Sequence, residues 1–92
     1  MNDALPLAVT IGDAVLYQEL DDEAVLLNME NQQYYGLNDV GARMWKSLME
    51  AGSIAAAGEL LGNTYDIEQT VIRADLESLV RDLLSAGLLK AA

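Results

Sequence analysis

Carboxylates, tyrosines, serines and a few cations are the only groups of this 92-residue chain with which chemistry could be done. Cysteine and histidine are both absent. That removes the thiolate nucleophile, the disulfide, the cysteine zinc cluster, and the commonest metal ligand and general base. The dense carboxylate group, Asp21-Asp22-Glu23, consists of three neighbours without the spacing or central glycine of a calcium loop. An acidic run between two apolar segments reads instead as a solvated turn. Gly36 and Gly41 belong to no phosphate loop, for which the lysine and the spacing are missing. No metal and no cofactor is expected, and the chain reads as a binding protein, not an enzyme.

Charge narrows what could be bound. Fifteen acids against five bases give a formal net charge of −10, the wrong sign for neutralising phosphates, so nucleic acid and anionic membranes are not expected partners. A basic peptide segment would be attracted, although exposed charges are screened beyond about 8 Å at physiological salt. No apolar run approaches the roughly 18 to 20 residues of a membrane helix, and Met1-Asn2-Asp3 lacks the basic start of a secretory signal. The expected location is the cytoplasm.

The elements that would position a binding surface follow from periodicity. Residues 1–12 show no sustained period and read as an N-terminal arm of weak order, ahead of one domain over residues 13–92. Val15 to Leu20 and Ala24 to Met29 are short apolar segments on either side of the acidic turn, as in a hairpin. Val25, Leu27 and Met29 alternate with Ala24, Leu26 and Asn28, which makes one face strongly apolar. Glu30-Asn31 supplies a second turn, with Asn31 suited to the left-handed conformation, and a third strand runs from Gln32 to Leu37. Asn38 caps a first helix in which Val40, Met44 and Leu48, with Trp45 and Met49, mark a buried stripe ending near Gly52. Met29, Met44 and Met49 are expected as core fillers. Ser53 caps a second helix with Ile54, Ala57, Leu60 and Leu61 facing inward, and Gly62-Asn63 stops it. Asp66 with Gln69 has the form of a capping box opening a third helix to about Ala86, closed by Gly87. The class is therefore α+β: a three-stranded antiparallel sheet followed by three helices.

At 100° per residue the third helix carries two apolar patches. Ile72, Leu76, Leu79, Val80 and Leu83 form the broad one, expected in the core. Ile67, Val71, Ala74 and Ser78 form a narrow second strip flanked by Asp75 and Asp82. Either this strip packs on the sheet or arm, or it is one wall of a groove.

The segment Tyr34-Tyr35-Gly36-Leu37-Asn38-Asp39-Val40-Gly41-Ala42-Arg43-Met44-Trp45 follows the apolar Ala24-Val25-Leu26-Leu27 and precedes helices ending in Leu83-Leu84-Ser85-Ala86-Gly87-Leu88-Leu89. In these features the chain resembles the PqqD-like family from about Asp13 to Leu89. The resemblance implies a winged-helix-like fold and a peptide-recognition role in the maturation of ribosomally made, post-translationally modified peptides (RiPPs), with the leader of the precursor bound as an added strand. The tyrosine-rich strand leading into Leu-Asn-x-Val-Gly-x-x-x-Trp looks most like the stand-alone leader-binding proteins of lasso-peptide pathways. That likeness implies a leader-cleaving cysteine protease and an ATP-dependent macrocyclase as partners. No Pro-Glu-Gly turn precedes the third strand, which counts against the pyrroloquinoline-quinone branch; a radical SAM enzyme is the alternative partner.

Carried onto this sequence, the family's binding mode puts a cleft between the third strand and the last helix. Gln32, Gln33, Tyr34, Tyr35, Gly36 and Leu37 then offer the strand edge, and Ile67, Val71, Ala74, Asp75, Ser78 and Asp82 the facing wall. Gln32 and Gln33 are not the charged or proline blockers that edges commonly carry. Tyr34 and Tyr35 point to opposite faces. Ordering about eight leader residues costs roughly 1 to 2 kcal/mol each, and a net hydrogen bond returns only about 0.5 to 1.5, so buried anchors at about 1.5 to 3 kcal/mol apiece must supply the surplus. Two other functions compete. A winged helix could be a DNA-binding regulator, but residues 66–86 hold five acids and two bases; or the chain is a scaffold whose apolar strip meets only another protein.

Overall fold

The computed structural model describes residues 5–64 and 66–92. Its elements are β1 (Val9–Ile11), β2 (Val15–Leu20), β3 (Glu23–Asn28), β4 (Gln33–Leu37), α1 (Asp39–Ala51), α2 (Ile54–Thr64), α3 (Gln69–Ser85) and β5 (Leu89–Ala91). Strands β2, β3 and β4 form the expected antiparallel meander, with β3 in the middle. A second, two-stranded sheet joins β1 to β5, pairing Val9 with Ala91 and Ile11 with Leu89.

The turns and caps explain the boundaries. Asp21 takes a positive φ of 57° in the turn between β2 and β3. In the next turn the left-handed residue is Gln32, at φ 60°, and not Asn31. Asn31 instead uses its side-chain oxygen, which accepts from the Gln33 N–H at 3.0 Å, a local bond that asparagine readily makes in turns. Asn38 caps α1, its side chain accepting from the Gly41 N–H at 2.8 Å, and Gly52 ends that helix in the left-handed conformation at φ 79°. Ser53 caps α2, accepting from the Ala56 N–H at 3.1 Å, and the helix runs on past Gly62-Asn63 to Thr64.

The capping box expected at Asp66 and Gln69 does not form. Glu68 occupies the N-cap without a side-chain hydrogen bond. The Gln69 amide donates instead to the Gly58 carbonyl at 3.2 Å, tying the start of α3 to α2, so Asp66 and Ile67 lie ahead of the helix. Gly87, at φ 73°, closes the other end, where the Leu88 N–H reaches the Leu83 carbonyl at 2.8 Å, a bond typical of a glycine-terminated helix.

The core lies between the inner face of the meander and the three helices. Leu26, Leu48, Leu76, Leu83, Leu88 and Val80 are its largest fully buried side chains. The stripe Ile72, Leu76, Leu79, Val80 and Leu83 is buried as the helical period predicts. Several other expectations need correction. Val40 is 53% exposed and Met29 59% exposed: the inner face of β3 is Ala24, Leu26 and Asn28, which puts Met29 outside, and Val40 lines the cavity while Gly41 and Ala42 of the same turn are buried. Leu60 also sits at the surface. Within the segment read as an arm of weak order, residues Val9–Ile11 are a strand and Val9 is buried. The cause is the partner strand Leu89–Ala91, too short to signal itself by period.

Candidate functional site

β4 is an edge of its sheet, and the phase of its free backbone groups can be worked out. In antiparallel pairing, successive residues of a strand direct their N–H and C=O groups alternately to one neighbour and the other. The Met29 N–H donates to the Ala14 carbonyl at 2.8 Å, so the odd-numbered positions of β3 bond toward β2 and the even ones toward β4. With Leu26 opposite Tyr35 and Asn28 opposite Gln33, the residues of β4 engaged with β3 are Gln33, Tyr35 and Leu37. Tyr34 and Gly36 turn their backbone groups to the free side. No described residue pairs with that side, and β1, the segment that could have covered it, is held by β5.

α3 faces this edge across a gap. The Tyr35 hydroxyl, from the inner face of β4, donates to an Asp82 carboxylate oxygen at 3.3 Å, so one tyrosine side chain spans the opening. Burial, then the Asp82 charge and the hydrogen bond to it, push the Tyr35 hydroxyl above its ordinary pKa. Further along, where β4 hands over to α1, a cavity of about 140 Å³ is lined by Val40, Met44, Leu61, Ile67, Val71 and Ile72, with Arg43 and Asp75 also on its wall. Its polar groups are few and its walls aliphatic, the character of a pocket for an apolar side chain.

Of the residues expected at the site, the structure places Ile67, Val71 and Asp75 in the cavity lining and joins Tyr35 to Asp82 by a hydrogen bond. Tyr34 is 75% exposed, Tyr35 half-buried, and Gln33 and Gly36 exposed. Leu37 is buried in the core, so it has no side chain to offer, and Gln32 lies in the turn. Opposite them Val71, Ala74, Asp75, Ser78 and Asp82 are exposed on α3, and Ile67, 51% exposed, reaches the same cavity from just before the helix. The second strip of α3 is therefore not packed against the sheet. Val40, Arg43, Met44 and Leu61 were missed as site residues. The helical period assigns Val40 and Met44 to the core and Leu61 to an inward face, and it says nothing about which positions border an opening.

A second surface also escaped the sequence. The helices cover Ala24, Leu26 and Asn28, and the more apolar set is turned away from them: Val25 and Leu27 are half-buried, and Leu16, Leu20 and Tyr34 are exposed on the same outer face. Asn28 is tolerated inside because its amide donates to the Ala86 carbonyl at 3.2 Å and its oxygen accepts from the Glu30 N–H at 3.0 Å. Trp45, buried, stacks on Tyr17 with ring centroids 5.7 Å apart and serves packing. Among the described residues no cluster of acidic side chains is arranged to hold a metal ion, and no helix is long and apolar enough to cross a membrane.

Residues 23–89 match the family described as coenzyme PQQ synthesis protein D (PqqD). The structure of TbiB1 in complex with the TbiA(beta) leader peptide is similar at a TM-score of 0.82 and 31% identity, over 90% of this chain and 96% of that one. Lasso peptide synthetase B1 complexed with the leader peptide is similar at a TM-score of 0.79 and 25% identity, over 90% of this chain and 98% of that one. The curated proteins give no match.

Proposed function

This chain belongs to the PqqD family, and on that premise we propose that it binds the leader of a ribosomally made precursor peptide as a strand added to β4. The observation that carries the reading is the open side of β4, with Tyr34 and Gly36 unengaged, in a fold whose apolar cavity begins at Val40, just past the end of that strand, and is walled by α1, α2 and α3. An edge alone is not enough. Four backbone bonds to Tyr34 and Gly36 would return roughly 2 to 6 kcal/mol, no more than the cost of ordering the peptide they hold. An apolar side chain seated among Val40, Met44 and Val71 supplies the difference.

The leader is that of a lasso-peptide precursor, a choice supported by the two leader complexes similar to this chain. The chain does no bond chemistry. It holds the leader while a separate cysteine protease removes it and an ATP-dependent macrocyclase closes the core peptide, and its contribution is effective concentration. The apolar outer face of the sheet supports contact with a processing enzyme, because an uncovered patch of that kind is costly unless something meets it. Residues 13–92 make up the recognition domain together with β1, which pairs with β5, and its work is done in the cytoplasm. Calorimetry with the leader of the precursor encoded beside this gene is the test: saturable heat supports the reading, and heat with the protease but never with the leader would replace it by a scaffold role. Tight duplex binding in a low-salt mobility shift would restore the DNA-binding alternative.

A further inference from the structure

We infer that Asp82, held from across the groove by Tyr35, selects a lysine or arginine on the guest strand. The inference rests on the leader-binding reading and names part of the chemistry of the guest. Asp82 is exposed on the wall of the groove, and its hydrogen-bond partner, the Tyr35 hydroxyl at 3.3 Å, is neutral. Among the described residues the ion pairs are Lys46 with Glu19, Arg73 with Glu77, and Lys90 with Asp13. None involves Asp82. Asp75, the other carboxylate of the wall, differs in sharing its cavity lining with a cation, Arg43. Arg81, next to Asp82 in sequence, lines a notch on another side of α3 with Arg73, Leu5 and Leu7, since neighbouring helical residues point in different directions. A carboxylate fixed in orientation by a hydroxyl has already lost part of the side-chain freedom that an exposed ion pair must give up. It still has acceptor capacity for a cation.

The fold also sets where that cation falls in the guest. Asp82 lies seven residues beyond Asp75 and eleven beyond Val71, about 10 to 16 Å along the helix at 1.5 Å per residue. A strand covers that distance in roughly three to five residues. Val40, just past the end of β4, lines the cavity, whereas Tyr35 stands opposite Asp82. A guest running antiparallel to β4, as the rest of the sheet does, therefore meets the cavity first. The selected lysine or arginine then lies C-terminal to an apolar anchor.

The experiment is selection of a random 12-residue peptide library, displayed on its encoding RNA, against the full chain and the variants Asp82→Asn, Asp82→Lys and Tyr35→Phe. With the unaltered chain, lysine or arginine should be enriched roughly two- to fivefold at a position three to five residues after an enriched apolar position. Asp82→Asn should lose the cationic preference and keep the apolar one, which also reports that the variant is folded. Asp82→Lys should turn the same position toward aspartate or glutamate, and Tyr35→Phe should weaken the preference without moving it. An apolar position with no cationic one, or a cationic preference that survives in Asp82→Asn, overturns the inference. No enriched peptide at all removes the leader-binding reading together with it.

Discussion

The side-chain amide of Asn28, in the middle strand of the meander, donates to the carbonyl of Ala86 at the C-terminal cap of α3. The two residues are 58 positions apart, and the bond fixes the end of the helix against the sheet. Asn28→Leu keeps the branched outline of the side chain and strands two backbone groups, the Ala86 carbonyl and the Glu30 N–H. Urea unfolding should show a loss of about 1 to 3 kcal/mol. An unchanged midpoint would mean that water serves those groups equally well.

Val71 tests the groove wall. It is 47% exposed, so Val71→Arg should leave thermal stability nearly unchanged. Leader affinity, measured by calorimetry, should fall by about tenfold or more, the equivalent of one lost apolar anchor. Undiminished affinity would remove the cavity from the site.

Amide exchange tests the register of the edge. In the free protein the Tyr35 and Leu37 N–H groups, engaged with β3, should exchange slowly, and those of Tyr34 and Gly36 fast. Added leader should slow the second pair. Protection of Tyr34 and Gly36 without any leader would show the edge to be covered already.

Alkaline pH should weaken the fold. Burial, followed by the Glu19 charge, raises the Tyr17 pKa, and Tyr35 is raised by burial and Asp82. Lys46, raised by its bond to Glu19, acts in the same direction. A group whose pKa is raised on folding contributes its stability in full below the unfolded value, about 10 for tyrosine, and loses it as pH rises through the folded value. Urea midpoints should therefore fall as pH rises above about 10, and Tyr17→Phe with Tyr35→Phe should flatten the fall. The Tyr17 hydroxyl is buried and has no hydrogen-bond partner among the described residues, so removing it should cost almost nothing near neutrality.

The sequence revealed the elements whose signals are local. Asn38 and Ser53 as caps, Gly52 and Gly87 as stops, and the Ile72-to-Leu83 stripe all depend on residues within a few positions of one another. It was misleading where a distant partner decides. Gln69 reads as half of a capping box and is taken by Gly58 across a helix interface. Met29 and Val40 read as core because alternation and helical period mark apolar positions without saying which face is covered. For the same reason the second strip of α3 was visible in the pattern but left between two readings, packed on the sheet or arm or open as a groove wall, whereas the cavity lining on α1, Val40 with Arg43 and Met44, was not visible. The strand β5 failed for length: three residues carry no period.

Because β1 and β5 lie side by side, with the Ala92 N–H on the Ala8 carbonyl at 3.1 Å, the two ends of the domain emerge at a single point. Any polypeptide fused ahead of β1 and any fused behind β5 would be tethered from the same doorway. A short loop could also splice the two ends into a ring, allowing the domain to be reopened at the Asp21-Asp22 bend with its strand order in space unaltered.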